Sequence, residues 1–183
     1  MSGIGFCLFD TAIGICAIAW GGRGVVLVQL PEAGADQTRT RVLRRCPGAR
    51  EAPPPAPVNQ AVEAMIALLD GEPVDLTGIE LDMQGLPEFQ RRVYEAARSI
   101  PSGVMLTYGA LAARLGEPGA ARAVGEAMGR NPFAIIVPCH RVVAAGGKLG
   151  GFSAGGGAST KRRMLAIERA RPHGLPDLFD ALG

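Results

Sequence analysis

A chain of 183 residues with 48% hydrophobic and 20% charged side chains can hold one medium domain or two small ones, and its balance is ordinary for a globular protein. Its apolar runs are too short to span a bilayer, and the first thirty residues lack a basic start and carry Asp10 among apolar neighbours, so neither a membrane span nor a signal peptide is expected and the protein reads as cytoplasmic. The net charge of +2 is uneven: residues 1–85 carry 6 basic and 10 acidic side chains and residues 86–183 carry 13 and 7, which suits a polyanionic partner for the second half, chance clustering of solvated arginines being the plain alternative.

In chain order, residues 13–20 read as a strand, Gly21-Gly22-Arg23-Gly24 as a turn and residues 25–30 as the partner strand, with residues 6–9 adding a further strand. Cys7 and Cys16 fall inside these apolar stretches as small core residues, and Trp20 as a packing aromatic. Residues 37–45 suit a short helix. The stiff run Pro53-Pro54-Pro55-Ala56-Pro57 then leads into a helix whose apolar period is Val62, Met65, Ile66 and Leu69, stopped at Asp70-Gly71. A short strand is expected around residues 79–83 and a domain boundary near 80–86, giving domains 1–85 and 86–183.

The second half opens with a helix over residues 87–99, ended by Pro101-Ser102-Gly103. Thr107 is placed to cap a helix over 108–115, and after the turn Gly116-Glu117-Pro118-Gly119 a second helix runs over 120–128. Two short alanine-rich helices joined by a tight turn are the pattern of a helix-turn-helix, although any αα-hairpin shares it. Asn131-Pro132 ends the second helix, and the apolar, strand-like run 133–137 delivers Pro138-Cys139-His140-Arg141. Residues 144–157 are glycine-rich, and a last helix is expected over 161–171, capped by Ser159 or Thr160. The expected fold is therefore an α/β N-terminal domain with a small antiparallel sheet, followed by a mainly helical domain with a helix-turn-helix of winged-helix-like type.

Four cysteines without a CxxC pair and without secretory context suggest no disulfide framework, and His140 and His173 lack a second ligand at metal-binding spacing, so neither metal nor cofactor is expected. Cys139 beside His140 is the candidate reactive centre. A free thiol is mostly protonated at neutral pH and needs a base. Neighbouring side chains on an extended backbone point apart, so His140 would act on Cys139 through a turn or a water. Glu168, the one acid of the last helix, is the candidate for orienting the imidazole. A buried, inert Cys139 beside a satisfied histidine is the competing reading of the dipeptide.

Taken together, Pro101-x-Gly103, Thr107-Tyr108, Ala120-Ala121-Arg122-Ala123-Val124-Gly125, Asn131-Pro132 and Ile136-Val137-Pro138-Cys139-His140-Arg141-Val142 closely resemble the O6-alkylguanine-DNA alkyltransferases, the methylated-DNA–protein-cysteine methyltransferases. The resemblance runs from about residue 87 to 169; the first half is similar to the family's variable N-terminal domain. It implies repair of double-stranded DNA by a monomer that flips the damaged base out and transfers the alkyl group of O6-alkylguanine, with O4-alkylthymine as a second substrate, irreversibly to Cys139. It further implies His140 as base through water, Glu168 as its orienting acid, Asn131 as the brace of the turn and Tyr108 as donor to the leaving guanine. Arg122 would fill the hole left in the base stack, with Ala121, Ala123, Gly125, Arg130 and Arg141 also facing DNA. Tyr108, Val137, Pro138, Phe152, Ser153 and Lys161 would line the base pocket.

The chain departs from the family around Gly151-Phe152-Ser153-Ala154-Gly155, where the usual Tyr is Phe152 and the usual loop Leu is missing, which suggests a looser loop open to larger alkyl groups. Three other classes compete. A non-catalytic relative would have replaced the cysteine. A helix-turn-helix regulator would not need Pro-Cys-His-Arg. A thiol hydrolase or redox enzyme would not need the basic second half.

Overall fold

The computed structural model describes residues 3–150 and 156–172. Strands β1 (Gly5–Thr11), β2 (Gly14–Gly21) and β3 (Gly24–Gln29) form an antiparallel meander. The first strand is nearly twice the length expected from its apolar core, because its backbone pairs with β2 from Gly5↔Trp20 to Thr11↔Gly14. Helix α1 (Ala35–Arg45) packs on β2 and β3, and the two-residue strand β4 (Arg50–Glu51) then joins the free edge of β1 in parallel. The sheet order is β3-β2-β1-β4, so the expected antiparallel sheet is mixed at one edge. Pairing at that edge uses backbone groups of the polar residues Arg50 and Glu51, which carry no apolar period to reveal it.

Helix α2 (Ala56–Leu69) starts within the proline run, with Pro55 as its cap and Pro57 in its first turn where the missing N–H costs nothing, and buries Val58, Val62, Met65 and Leu69. The strand expected at 79–83 reduces to a single parallel bridge between Val25 and Leu81, with Val25 N donating to Glu80 O (2.9 Å) and Asp82 N to Val25 O (2.8 Å). This crossing depends on Gly24: at φ +123° a Cβ would lie 2.6 Å from the Glu80 carbonyl oxygen.

Helix α3 (Glu88–Arg98) leads to β5 (Val104–Thr107), α4 (Tyr108–Arg114) and α5 (Ala121–Gly129). Thr107 Oγ1 accepts from Ala110 N at 3.0 Å, the expected cap. The α4–α5 pair matches the expected helix-turn-helix to within about one residue at each end. Beside it, β5 is the middle strand of a short parallel sheet, flanked by β6 (Val142–Val143) and β7 (Arg171–Pro172). The last helix, α6, is Ala158–Ile167, three residues earlier than expected, and its cap is Gly157 (φ +51°) rather than Ser159 or Thr160, which lie inside the helix.

The two halves share their main core: Ile18, Met65 and Leu69 pack in the same cluster as Val93, Leu111 and Val137. A smaller cluster under α1 holds Phe6, Ala17, Ala19, Leu27 and Val42. Tyr94, fully buried, donates its hydroxyl to Ala127 O in α5 (2.8 Å) and meets Phe133 edge-on at 6.3 Å. Edge strand β3 also reaches the segment that follows α5: Val28 N donates to Pro132 O at 2.8 Å. No helix among the described residues is long and apolar enough to cross a membrane.

Candidate active site

The site is built on residues 131–141. The run 133–137, which reads as a strand by composition, is a compact turn: Val137 N donates to Phe133 O (2.8 Å), and Ile135 has φ +73°. A β-branched residue in the left-handed region is strained, at a cost of about 1–3 kcal/mol, and needs neighbours that hold it. Asn131 supplies the hold from both sides. Its Nδ2 donates to Val137 O at 2.9 Å and its Oδ1 accepts from Phe133 N at 2.9 Å. An uninterrupted apolar run cannot distinguish such a turn from a buried strand; Asn131-Pro132 was its one available sign.

The turn continues into a single 3-10 turn, Cys139–Arg141, in which successive side chains diverge by about 120°. Cys139 is partly buried. Burial pushes its thiol up from the ordinary value, while a hydrogen bond from the Asn131 side chain and the charge of Lys161 act in the opposite direction. His140 is fully buried, with Nε2 2.8 Å from Glu168 Oε1. Burial holds its imidazole below the ordinary value, that is, neutral, against the raising effect of Glu168. An ionised carboxylate only accepts, so Nε2 carries the proton and Nδ1 is the basic nitrogen. Nδ1 is buried with no hydrogen-bond partner among the described residues.

Arg141 corrects an expectation. Expected to face DNA, it is 6% exposed, its Nε donates to Glu168 Oε2 (2.9 Å), its Nη2 to Glu168 Oε1 (2.8 Å) and its Nη1 to Ile100 O (2.7 Å). The 3-10 turn directs it inward, and a buried Glu168 needs a cation more than the surface does. Glu168 itself is not inside the last helix but caps its C-terminus, where the helix dipole disfavours a carboxylate. Burial opposes its ionisation, yet the hydrogen bonds from His140 and Arg141 and the charge of Arg141 hold its carboxyl down at about 2.

Lys161, in the first turns of α6, is also buried; Nζ donates to Val142 O at 2.7 Å and lies 5.8 Å from the centre of the Tyr108 ring. Burial lowers its pKa, against the raising effect of Cys139. Tyr108 opens α4 with its ring against Gly125 of α5 and its hydroxyl against Gly150, where a Cβ would come within 2.8 Å of the oxygen. Two glycines therefore admit this tyrosine beside the site, a signal that glycine content alone does not reveal. Val137 and Pro138 are buried in the turn. Phe152 and Ser153, and with them the expected loose loop, lie outside the described residues.

On α5, Arg122 and Ala123 are exposed, as is the C-cap Arg130; Ala121 and Gly125 are half-buried, and Val124, Ala127 and Met128 face the core. The Arg122 side chain is 95% exposed and pairs with Glu126 at 3.7 Å. Among the described residues no group of three or more His, Cys, Asp or Glu converges as a metal site. The architecture is thus a helix-turn-helix domain with an exposed arginine on its second helix and a cysteine–histidine–carboxylate centre.

Comparison with known proteins shows the family to which this helix-turn-helix architecture belongs. The model of the "6-O-methylguanine DNA methyltransferase, DNA binding domain" family matches residues 88–170. The methylated-DNA–protein-cysteine methyltransferase of Mycobacterium tuberculosis H37Rv is 40% identical over 171 residues, covering 93% of this chain and 96% of its own. That of Methanothermobacter thermautotrophicus is 35% identical over 82% of this chain and 77% of its own. The crystal structure of the Mycobacterium tuberculosis O6-methylguanine methyltransferase superposes with a TM-score of 0.74 at 36% identity, covering 98% of this chain and 99% of that one. The same organism's protein in complex with DNA gives 0.71 at 39% identity, over 91% and 94%. The chain belongs to the methylated-DNA–protein-cysteine methyltransferase family.

Proposed function

We infer that this protein repairs DNA by direct reversal, moving the alkyl group of O6-alkylguanine in double-stranded DNA onto Cys139, once per chain. The Cys139 thiol gives its proton, through a bridging water, to His140 Nδ1; Glu168 stabilises the imidazolium and fixes the ring. The thiolate attacks the alkyl carbon bonded to O6, a carbon–sulfur bond forms as that alkyl carbon–O6 bond breaks, and guanine leaves with the electron pair on O6. The Tyr108 hydroxyl donates to the leaving base, stabilising charge where it develops. Lys161, buried beside Tyr108 and acting on Cys139, favours the thiolate. The product is a thioether, which nothing in the site hydrolyses, so the protein is consumed.

Arg122, exposed early in α5, enters the base stack in place of the flipped nucleotide. Ala123 and Gly125 let the helix approach the minor groove closely, and Arg130 at its end meets the backbone. The protein works as a monomer in this reading, and O4-alkylthymine is a second substrate of the same site.

The observation that carries the reading is the placement of Cys139 between the Asn131 brace and the buried His140–Glu168 pair. The test is incubation with duplex DNA carrying O6-methylguanine, followed by mass analysis of the Cys139 peptide. A gain of one CH2 on that peptide, absent in Cys139→Ala, is expected. An unmodified Cys139, or repair that survives Cys139→Ala, would overturn the assignment.

A further inference from the structure

The net acidity of residues 1–85 conceals a local excess of the opposite sign: four of their six arginines, Arg39, Arg41, Arg44 and Arg45, stand in α1 with Asp36 as the one acid of that helix. Arg39 is neutralised by Asp36 (2.9 Å) and by Glu51 of β4 (2.8 Å). The last turn and a half is not. Arg44 is exposed and, like Arg41, has no carboxylate or hydrogen-bond acceptor among the described residues; Arg41 even keeps a buried, unpartnered Nε. Arg45 donates to a neutral amide, Gln29 Oε1, at 3.2 Å and has no carboxylate partner among the described residues.

This cluster adjoins the end of α5. Gln29 follows Val28, whose N–H is bonded to Pro132 O, two residues beyond Arg130. Arg45 and Arg130 also both act electrostatically on Tyr94, whose hydroxyl is bonded to Ala127 of α5. Arg122 and Arg130 are eight residues apart along α5, roughly 12 Å of helix. From Arg130 the line of unneutralised guanidiniums continues to Arg45 and, one helical turn away, to Arg41, with Arg44 on the same end of the helix.

A helix C-terminus favours cations, which accounts for arginines in the last turn of α1. It does not account for their arrangement. Arg41 and Arg45 are like charges at i and i+4, a spacing that repels, and burial together with Arg41 works against the charge on Arg45. Folding alone would place a carboxylate among them. A cationic strip adjoining a DNA-facing helix, with Glu32 held on the Gln29 amide nitrogen at 3.4 Å, fits the phosphate backbone, whose neutralisation releases counterions.

We propose that the C-terminal turn of α1, through Arg41, Arg44 and Arg45, is a second duplex-binding surface that extends the α5 contact from Arg130 onto the N-terminal half and grips phosphates beside the lesion. The proposal rests on the reading that α5 binds duplex DNA. It assigns the N-terminal half a share of DNA affinity and no share of the chemistry, since the site residues lie in the second half.

The test uses the full chain with Arg41→Gln and Arg44→Gln together, Arg45 being left to hold Gln29. Affinity for an undamaged duplex is measured from 50 to 200 mM salt, and alkyl transfer is measured with free O6-benzylguanine. Each lost phosphate contact should reduce the slope of log affinity against log salt by about 0.9, so over this fourfold range the wild type should lose about tenfold more affinity than the double variant. Free-base transfer and the melting temperature should be unchanged, and Arg44→Lys should retain its part of the slope. Equal slopes and affinities in wild type and double variant would overturn the proposal. So would a change confined to self-association of the protein. Failure of the wild type to react with the free base would instead count against the alkyltransferase reading and leave the salt comparison intact.

Discussion

Replacing Glu168 with Gln keeps the shape of the side chain and removes the charge that Arg141 and His140 share. The carboxyl is held at about 2 against an ordinary 4.5. That difference corresponds to something on the order of 3 kcal/mol of stability at neutral pH. The side chain is only 2% exposed, so solvent does little to reduce this figure. An independent estimate agrees: removing one partner of a buried ion pair typically costs about 3–5 kcal/mol. For a chain of this size each kcal/mol moves the melting temperature by about 2–4 °C. Glu168→Gln should therefore melt on the order of 10 °C below the wild type.

The same substitution removes the charge that stabilises the His140 imidazolium formed when the thiol ionises, and general-base assistance is worth roughly 10²–10⁴ in rate. Single-turnover transfer to an O6-methylguanine duplex, followed by rapid quench well below both melting temperatures, should slow by about a hundredfold. Duplex affinity should be unchanged, because Glu168 has almost no surface to offer DNA. A transfer rate equal to that of the wild type in the folded variant would refute the relay. An unchanged melting temperature would refute the clamp. A loss of duplex affinity as large as the loss of rate would mean that Glu168 supports the DNA-facing surface rather than the proton path.

Arg122→Ala should slow repair in duplex DNA far more than reaction with the free base, with little change in stability, since its ion pair with Glu126 is exposed; equal losses on both substrates would remove it from base flipping. Stability against urea should fall on both sides of neutrality. His140 and Glu168 both have depressed folded pKa values, so their contributions are present above their ordinary values of 6.5 and 4.5 and are lost as pH falls, His140 first and Glu168 down to about 2. Cys16 and Tyr94 are raised to about 12, so their contributions are present below their ordinary values of 9 and 10 and are lost as pH rises toward 12. A urea midpoint that holds steady from pH 7 down to pH 3 would contradict the acid limb.

Legibility from sequence followed the kind of information each element carries. The helix-turn-helix was readable because Thr107, the alanine-rich apolar period and the glycine turn all act within a few residues of one another. The parallel edge strand β4 was not, and the strand expected at 79–83 shrinks to one bridge at Leu81, since each is held by backbone pairing to a distant segment and has no periodic face. At the site, the residue types were legible and their directions were not. Cys139, His140 and Arg141 look like neighbours on a strand, where alternate side chains would share a face and Arg141 would lie beside Cys139 at the DNA surface. The backbone instead enters them from a strained turn at Ile135, braced by Asn131, and winds them into a single 3-10 turn. Three consecutive side chains are thereby distributed to three tasks: Cys139 keeps some exposure, His140 turns to Glu168, and Arg141 fixes that same carboxylate from its other side. The relay partner lies 28 residues away, yet its position is set by the residue next to the histidine. This is why Arg141 is better understood as the residue that makes Glu168 ionised and immobile than as a contact with DNA.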